Sequence, residues 1–169
     1  ALDAVRYVAL NKMKVDKNTL HKIIESQLTI LLSTATQAAI QAYETATHEE
    51  NKAENKYDTL GLEASYLAEG QAKRVTQLEN DLSSFRKLQT KNFTEEMEIG
   101  LGALVCLQTQ SNTNKFIAGG VSFNYQDNEM MLITEPSPLG KVLKNTYLGD
   151  EVTIKQTHNM IQYEIIGLW

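Results

Sequence analysis

One long stretch without proline constrains this chain more than any other feature. From Asp16 to Leu88 there is no proline, and the only glycines are Gly61 and Gly70. Alanine, leucine, glutamate, glutamine and lysine dominate the stretch, and these residues favour helices. The apolar positions recur every three or four residues, which is the spacing of a coiled-coil seam. The pattern predicts long helices over this range, with Asp16 as the N-cap of the first.

The seam also predicts how two helices would pair. When the sequence is folded back on itself, five pairs of apolar residues have residue numbers that sum to 102. The midpoint is Asn51, so we expect an antiparallel hairpin over residues 16–89 with its tip near 49–55. Large pairs lie far from the turn and alanines near it, which predicts a thin tip. The pairs are Leu20 with Leu82, Ile24 with Leu78, Ala35 with Leu67, Ala38 with Ala64, and Ala42 with Leu60.

The second half of the chain changes to a period of two. Residues 90–96 are polar and lose the helical spacing, which predicts a linker. Strand patterns follow over 103–109, 129–134, 151–156 and 162–169, with turn signals at 119–120, 126–128 and 157–159. Ser137, Pro138 and Gly140 predict a short helix with the serine as N-cap and the proline in its first turn. We expect an α+β protein, with a small antiparallel β domain over 97–169 and an N-terminal extension over 1–15.

Composition excludes several classes of function. The net charge of −5 and the pI near 5.2 argue against direct, nonspecific binding to nucleic-acid phosphates. The single cysteine, Cys106, lies in an apolar run and is predicted to be a buried strand thiol, not a nucleophile. Because it cannot form an internal disulfide, a reducing cytoplasm is expected. No apolar run approaches the ~20 residues of a membrane span, and nothing resembles a secretion signal.

The histidines and the two helical glycines have ordinary explanations. His21, His48 and His158 lie in three different predicted elements without the spacing of metal ligands. Gly61 and Gly70 each cost a helix about 1 kcal/mol relative to alanine. Close approach of the partner helix is the simplest account of both glycines.

The predicted tip carries three acids, Glu49, Glu50 and Glu54. One interpretation is an exposed polar turn, in which Glu54 begins the second helix and gains ~0.3–1 kcal/mol from the helix dipole. The other is that carboxylates at the end of a narrow hairpin enter a deep cavity and help hold a divalent metal such as Mg²⁺. Composition alone favours the exposed turn, whereas a hairpin that tapers and ends in acids favours the metal-holding tip.

The order of these parts resembles the GreA/GreB type of bacterial transcription elongation factor over about residues 16–169. The likeness is most specific in "NKAENKYDTLGLEASYLAEG", which matches the family's Asp-x-x-Glu-Asn tip and its later Glu-Gly, here Glu69 and Gly70. It is also specific in "SPLG…L…GDEV" of the second domain. The resemblance implies that the second domain has a fold like that of FK506-binding proteins, without a need for prolyl isomerase activity.

In that family the hairpin enters the secondary channel of RNA polymerase, where the tip acids help hold a Mg²⁺ and a water at the polymerase's active site. This stimulates cleavage of backtracked RNA. Matched by position, the family's tip glutamate falls on Glu54, followed by Asn55, and its tip aspartate falls on Asn51. An amide carries no charge to hold a metal, and Glu50 is the neighbouring acid that could replace it.

The resemblance also implies the partner and the docking residues. The family's second domain docks at the rim of the channel on the largest polymerase subunits, and the docking patch carries over to Ser137 and Pro138. The expected protein is a monomeric accessory factor, with no cofactor beyond a Mg²⁺ shared with the polymerase. It would contact nucleic acid only through the polymerase, and it would not bind membranes.

Three classes of function remain open from the sequence. A cleavage-stimulating factor and a regulator that only occupies the channel are the two polymerase-binding alternatives. A protein-binding module with the coiled coil as a spacer is the second class. An autonomous prolyl isomerase is the third, and it is disfavoured because few aromatic residues are present to line a proline pocket. Those residues are Phe116, Phe123, Tyr125, Tyr147, Tyr163 and Trp169.

Overall fold

The computed structural model describes residues 14–48, 59–109, 114–116, 121–125, 128–156 and 159–169. Two long helices come first, α1 (Lys17–Thr47) and α2 (Leu60–Lys87). The remaining elements are β1 (Val105–Thr109), β2 (Asn114–Phe116), β3 (Val121–Tyr125), β4 (Asn128–Leu132), α3 (Pro138–Leu143), β5 (Glu151–Gln156) and β6 (Asn159–Leu168). The predicted fold class, long helices followed by a small antiparallel β domain, is confirmed.

Contacts divide the described chain into two units. The helical unit runs from Glu25 to Leu88, and the β unit combines the described residues up to Ile24 with those from Gln89 to Trp169. The first turns of α1 therefore belong to the β unit and the rest of α1 to the helical unit. In the described residues, neither long helix contains a segment apolar enough to cross a bilayer.

Helix α1 begins where the sequence predicts. The Asp16 carboxylate accepts hydrogen bonds from the backbone N–H groups of Asn18 and Thr19, at 3.0 and 3.3 Å, and from the Thr19 hydroxyl at 2.6 Å. These bonds satisfy N–H groups that the helix itself leaves unpaired. They also hold the pKa of Asp16 below its ordinary value, with the Thr19 hydroxyl as the main cause. Asp16 is confirmed as the N-cap.

The two helices pair antiparallel in the helical unit, but not in the predicted register. The Arg86 side chain donates to Glu25 at 2.6 Å, and their residue numbers sum to 111. In the β unit, Thr90 donates to Asn18 at 3.2 Å, a pair that sums to 108. The predicted sum of 102 is therefore wrong by six to nine residues, which brackets one heptad. Apolar spacing selects which faces of the two helices meet, but it does not fix how far one helix slides along the other.

The seam itself contains most of the predicted residues. Leu28, Leu78 and Leu82 are almost completely buried. Leu67 is an error of prediction, because its side chain is 57% exposed while Ala64 and Ala68 are half-buried. The protected positions of α2 step by fours and threes through 64, 68, 71, 75, 78 and 82, and Leu67 lies one position away from that series.

Close approach of the partner helix does not explain Gly70. Gly70 is exposed, and a Cβ atom built on it would meet nothing within 4 Å. The predicted reason for this glycine is therefore wrong. The same account of Gly61 stays a prediction.

The β unit is built on one four-stranded antiparallel sheet in the order β2-β1-β6-β5, and β3 pairs with β4 in a separate hairpin. The strand patterns predicted near β1, β4, β5 and β6 are confirmed, whereas β2 and β3 were not predicted. Phe93, from the segment predicted as a linker, is buried in the core together with Ile99. The core also contains Leu107, Leu139, Leu143, Val152, Tyr163, Ile165 and Leu168.

Candidate partner-binding surface

Ser137 fixes the start of α3. Its hydroxyl donates to the carbonyl of Thr134 at 2.7 Å and accepts from the backbone N–H of Gly140 at 3.0 Å. Its backbone carbonyl accepts from the N–H of Lys141 at 2.9 Å. The predicted serine cap and the proline in the first turn are confirmed. Because the hydroxyl already holds both partners and the residue is half-buried, its observed role is to shape this turn.

Gly140 lets the turn before α3 close onto the helix. A Cβ atom at this position would clash with the carbonyl oxygen of Thr134 and lie 2.8 Å from that of Glu135. Leu139 and Leu143 point from the same helix into the core. Two buried leucines, one capping hydroxyl and one position that only glycine fits therefore hold α3 in place.

We define the α3 surface as Glu135, Pro136, Pro138 and Lys144, all of which are exposed. The Lys144 ammonium pairs with the Glu135 carboxylate across the helix. Their hydrogen bond raises the pKa of Lys144, and the charge of Glu135 acts in the same direction. An exposed pair of this kind contributes little stability. Pro138 thus presents an exposed apolar ring in the first turn of α3.

The base of α1 is a second organised site, and sequence reasoning missed it. The Lys17 ammonium donates to the Gly102 carbonyl at 2.6 Å and lies 5.4 Å from the centre of the Phe93 ring. Lys91 lies 4.9 Å from the same ring. Burial lowers the pKa of Lys17 to about 8. The signal was Phe93, an aromatic residue alone in a polar segment, which pointed to an anchor at this place.

Tyr125 belongs to the same attachment. The backbone N–H of Asp16 donates to its hydroxyl oxygen at 3.0 Å, and the tyrosine is buried. Tyr163 is also buried, so these two of the aromatic residues considered for a proline pocket are core residues. Tyr147 is exposed, and its backbone N–H donates to the Asp150 carboxylate at 2.9 Å.

The other candidate groups fall into two classes. Cys106 is fully buried, and burial raises the pKa of its thiol to about 12, which confirms the predicted inert strand thiol. Within the described ranges, no three His, Cys, Asp or Glu side chains cluster so as to hold a metal ion. The tip residues Glu49, Glu50, Asn51, Glu54 and Asn55 lie outside the described residues, so their arrangement stays a prediction.

Comparison with known proteins shows which proteins this chain is similar to. No protein-family model matches the chain. The transcription elongation factor GreA of Syntrophus aciditrophicus (strain SB) is 24% identical to it over 163 residues, which are 95% of this chain and 96% of that protein. The chain is similar to a GreA protein along nearly the whole of both chains. The resemblance predicted from the tip motif and the Ser-Pro segment is thus confirmed.

Two solved structures of the GreA homologue Gfh1 are also similar to this chain. The Gfh1 protein of Thermus thermophilus is 22% identical, with a TM-score of 0.35 over 86% of this chain and 94% of that one. A second structure of Gfh1 is 23% identical, with a TM-score of 0.37 over 87% and 94% of the two chains.

Proposed function

We propose that this protein binds RNA polymerase in the cytoplasm and regulates transcription elongation. The observation that carries the proposal is the match to GreA along nearly the whole of both chains. The arrangement of long antiparallel helices followed by a small antiparallel β unit supports it. The acidic chain favours contact with a protein over direct contact with nucleic acid.

In this proposal the α3 surface is the dock. Pro138 is the contact residue, because its ring is exposed on a turn that the core holds in place. Ser137 is a positioning residue, since its hydroxyl is engaged by Thr134 and Gly140. A rigid apolar contact of this kind loses little conformational entropy on binding.

The test is a pull-down of purified core RNA polymerase by the natural protein and by Pro138→Asp. Aspartate is well tolerated in the first turn of a helix, so the variant is expected to fold and to bind at least tenfold more weakly. Met160→Asp adds the same charge at an exposed apolar position on β6, and this control should bind normally. Polymerase binding by a well-folded Pro138→Asp variant at the natural strength would contradict the docking assignment.

Failure of the natural protein itself to bind polymerase would contradict the proposed function as a whole. It would favour the alternative class, a protein-binding module in which the helices act as a spacer. Circular dichroism of each variant keeps loss of binding distinct from loss of folding.

The tip is the second part of the proposal. We infer that the hairpin enters the secondary channel and that Glu54, with Glu50 and the polymerase's own carboxylates, shares a Mg²⁺ there. Asn51 supplies no charge at the position of the family's aspartate, and hard cations are held mainly by charged oxygens. Stimulation of RNA cleavage by the natural protein should therefore be weak or absent.

Backtracked elongation complexes with saturating protein test the tip. Asn51→Asp should increase the yield of shortened transcripts, and Glu54→Ala should remove any residual cleavage. Robust cleavage by the natural protein that survives Glu54→Ala would defeat this account of the tip. An Asn51→Asp variant that binds polymerase but gives no cleavage would favour the second candidate, a regulator that acts by occupying the channel.

A further inference from the structure

A tight turn in the β unit presents a large apolar side chain to solvent. Leu101 is 69% exposed, more than any other large apolar residue in the described ranges. It lies between Gly100 and Gly102, and the turn closes through a hydrogen bond from the N–H of Ala103 to the carbonyl of Gly100 at 3.1 Å. Gly102 has a φ of 88°, in the left-handed region that favours glycine. The turn therefore depends on a glycine and leaves a leucine at its outside.

Backbone hydrogen bonds hold the chain on both sides of this turn. Before it, the N–H of Ile99 donates to the carbonyl of Thr146 at 2.8 Å, and the carbonyl of Ile99 accepts from the N–H of Asn145 at 3.2 Å. After it, Leu104 and Trp169 exchange two backbone hydrogen bonds, at 3.0 and 2.9 Å. The exposed leucine thus stands on a fixed backbone, and such a residue loses little conformational entropy on binding.

Lys17 supports the same turn at a cost in stability. Its ammonium donates to the carbonyl of Gly102 at 2.6 Å and lies over the ring of Phe93. In the part of the chain that the structure describes, no carboxylate forms an ion pair with it. Burial lowers the pKa of Lys17 to about 8, because the charged form loses hydration there. A half-buried cation without a countercharge is unfavourable, so its use to hold a surface turn favours a function for that turn.

The turn lies beside the α3 surface. Asn145 and Thr146, which bond to Ile99, directly follow Lys144 of that surface. Leu101 is only two residues further along, at most ~7 Å of extended chain. The exposed leucine and the α3 surface are therefore parts of one continuous region of the β unit.

Lysine side chains border the turn. Lys91 is exposed and lies 4.9 Å from the centre of the Phe93 ring that Lys17 also contacts. The backbone carbonyl of Gln89 would lie 3.9 Å from a Cβ atom at Gly102, so this segment runs against the turn. The acids that follow in sequence pair with neither lysine; these are Glu95, Glu96 and Glu98. An apolar residue bordered by such cations is complementary to an apolar pocket with carboxylates at its rim.

We propose that Leu101 is an apolar anchor of the polymerase dock, that it enters an apolar pocket bordered by carboxylates, and that Lys91 pairs with this border. The inference rests on the proposed function and adds a contact to Pro138 on the same region. Lys17 is a positioning residue, since it acts through the carbonyl of Gly102. The occupant is a protein surface, because an aliphatic side chain gains from burial in a pocket and not from contact with phosphates.

Quantitative binding to purified core RNA polymerase, which carries no nucleic acid, tests the anchor. Leu101→Asp should bind about tenfold or more weakly, because the buried leucine is replaced by a charge. Met160→Asp is the matched control, since Met160 is 67% exposed on β6 of the same unit, and it should bind normally. Circular dichroism confirms that each variant is folded.

The outcomes separate this inference from the proposed function. A folded Leu101→Asp variant that binds at the natural strength, while Pro138→Asp binds weakly, would overturn the anchor and leave the α3 dock in place. Failure of the natural protein to bind polymerase would overturn both.

A charge reversal tests the acidic border. Lys91→Glu should weaken binding, whereas Lys155→Glu, the same change at an exposed lysine on β5, should have little effect. The difference between the two variants should shrink as salt is added, because ions screen exposed charges. Equal effects of the two substitutions would contradict a border of carboxylates.

A double-mutant cycle tests the role of Lys17. Lys17→Met should weaken binding, and Lys17→Arg should recover part of the loss because it keeps a charged donor for Gly102. If Lys17 acts by holding the turn, Lys17→Met should add little once Leu101→Asp is present. Fully additive losses would overturn the positioning role.

Discussion

The two helices of the helical unit share a buried seam but differ in the surface that they leave outside. On α1 the outer face is uncharged from Ser26 to Tyr43, and its threonine hydroxyls bond to their own helix. On α2 the exposed side mixes large apolar residues, Leu62, Tyr66 and Leu67, with charges. The buried seam determines which faces of the two helices pack together. The outer faces do not contribute to that packing, so their chemistry indicates what the helices meet elsewhere.

The largest expected change in the free energy of unfolding distinguishes the inner face of α1 from its outer face. Leu28→Ala should lower the free energy of unfolding by about 2–5 kcal/mol, because it empties a fully buried site. Ile30→Ala, two residues away on the exposed side, should change it by no more than about 0.5 kcal/mol. Urea unfolding followed by far-UV circular dichroism measures both. Equal losses would mean that the outer face is already packed within one chain.

Substitution of two glycines, one in each unit, should change stability by a smaller amount and in opposite directions. Gly140→Ala should destabilise the β unit by about 1–3 kcal/mol, because the added Cβ meets two backbone carbonyls. Gly70→Ala should instead stabilise α2 by about 1 kcal/mol, because open space surrounds that position and alanine favours the helix. Thermal unfolding of both variants checks the signs. A destabilised Gly70→Ala variant would restore the idea of a close approach at this glycine.

The smallest effect tests the register of the two helices. Arg86→Glu should cost about 0.2–1 kcal/mol through loss of the exposed pair with Glu25. Adding Glu25→Arg should recover part of that loss, because the pair is then reversed. In the register predicted from the sequence, residue 25 would face residue 77, and the double variant would show no recovery. A double-mutant cycle distinguishes the two registers.

Much of the fold could be predicted because local chemistry determines it. A run without proline and with seam spacing gave the two helices, alternation gave most of the strands, and Asp16 and Ser137 act as caps through their own side chains. The register could not be predicted, since apolar spacing selects the faces that meet but not the position of one helix along the other. Leu67 lies outside the seam although it is large and apolar, because the spacing of fours and threes selects Ala68.

The candidate sites differ in the same way: a site could be predicted where its residues are adjacent in sequence. The α3 turn was predicted, because the residues that build it are adjacent in sequence. The Lys17 site was not, since Lys17, Phe93 and Gly102 are distant in sequence and only the fold brings them together. The tip motif depends on its likeness to a family, and its acids lie outside the described residues.

Site-specific photo-crosslinking tests the central claim, that the tip of this protein works inside RNA polymerase. A photo-crosslinking amino acid in place of Asn51 should label polymerase peptides that line the active centre. The same group in place of Glu79, far along α2 from the tip, should label other peptides or none. Binding without any label at the active centre from position 51, or identical labels from both positions, would contradict the account.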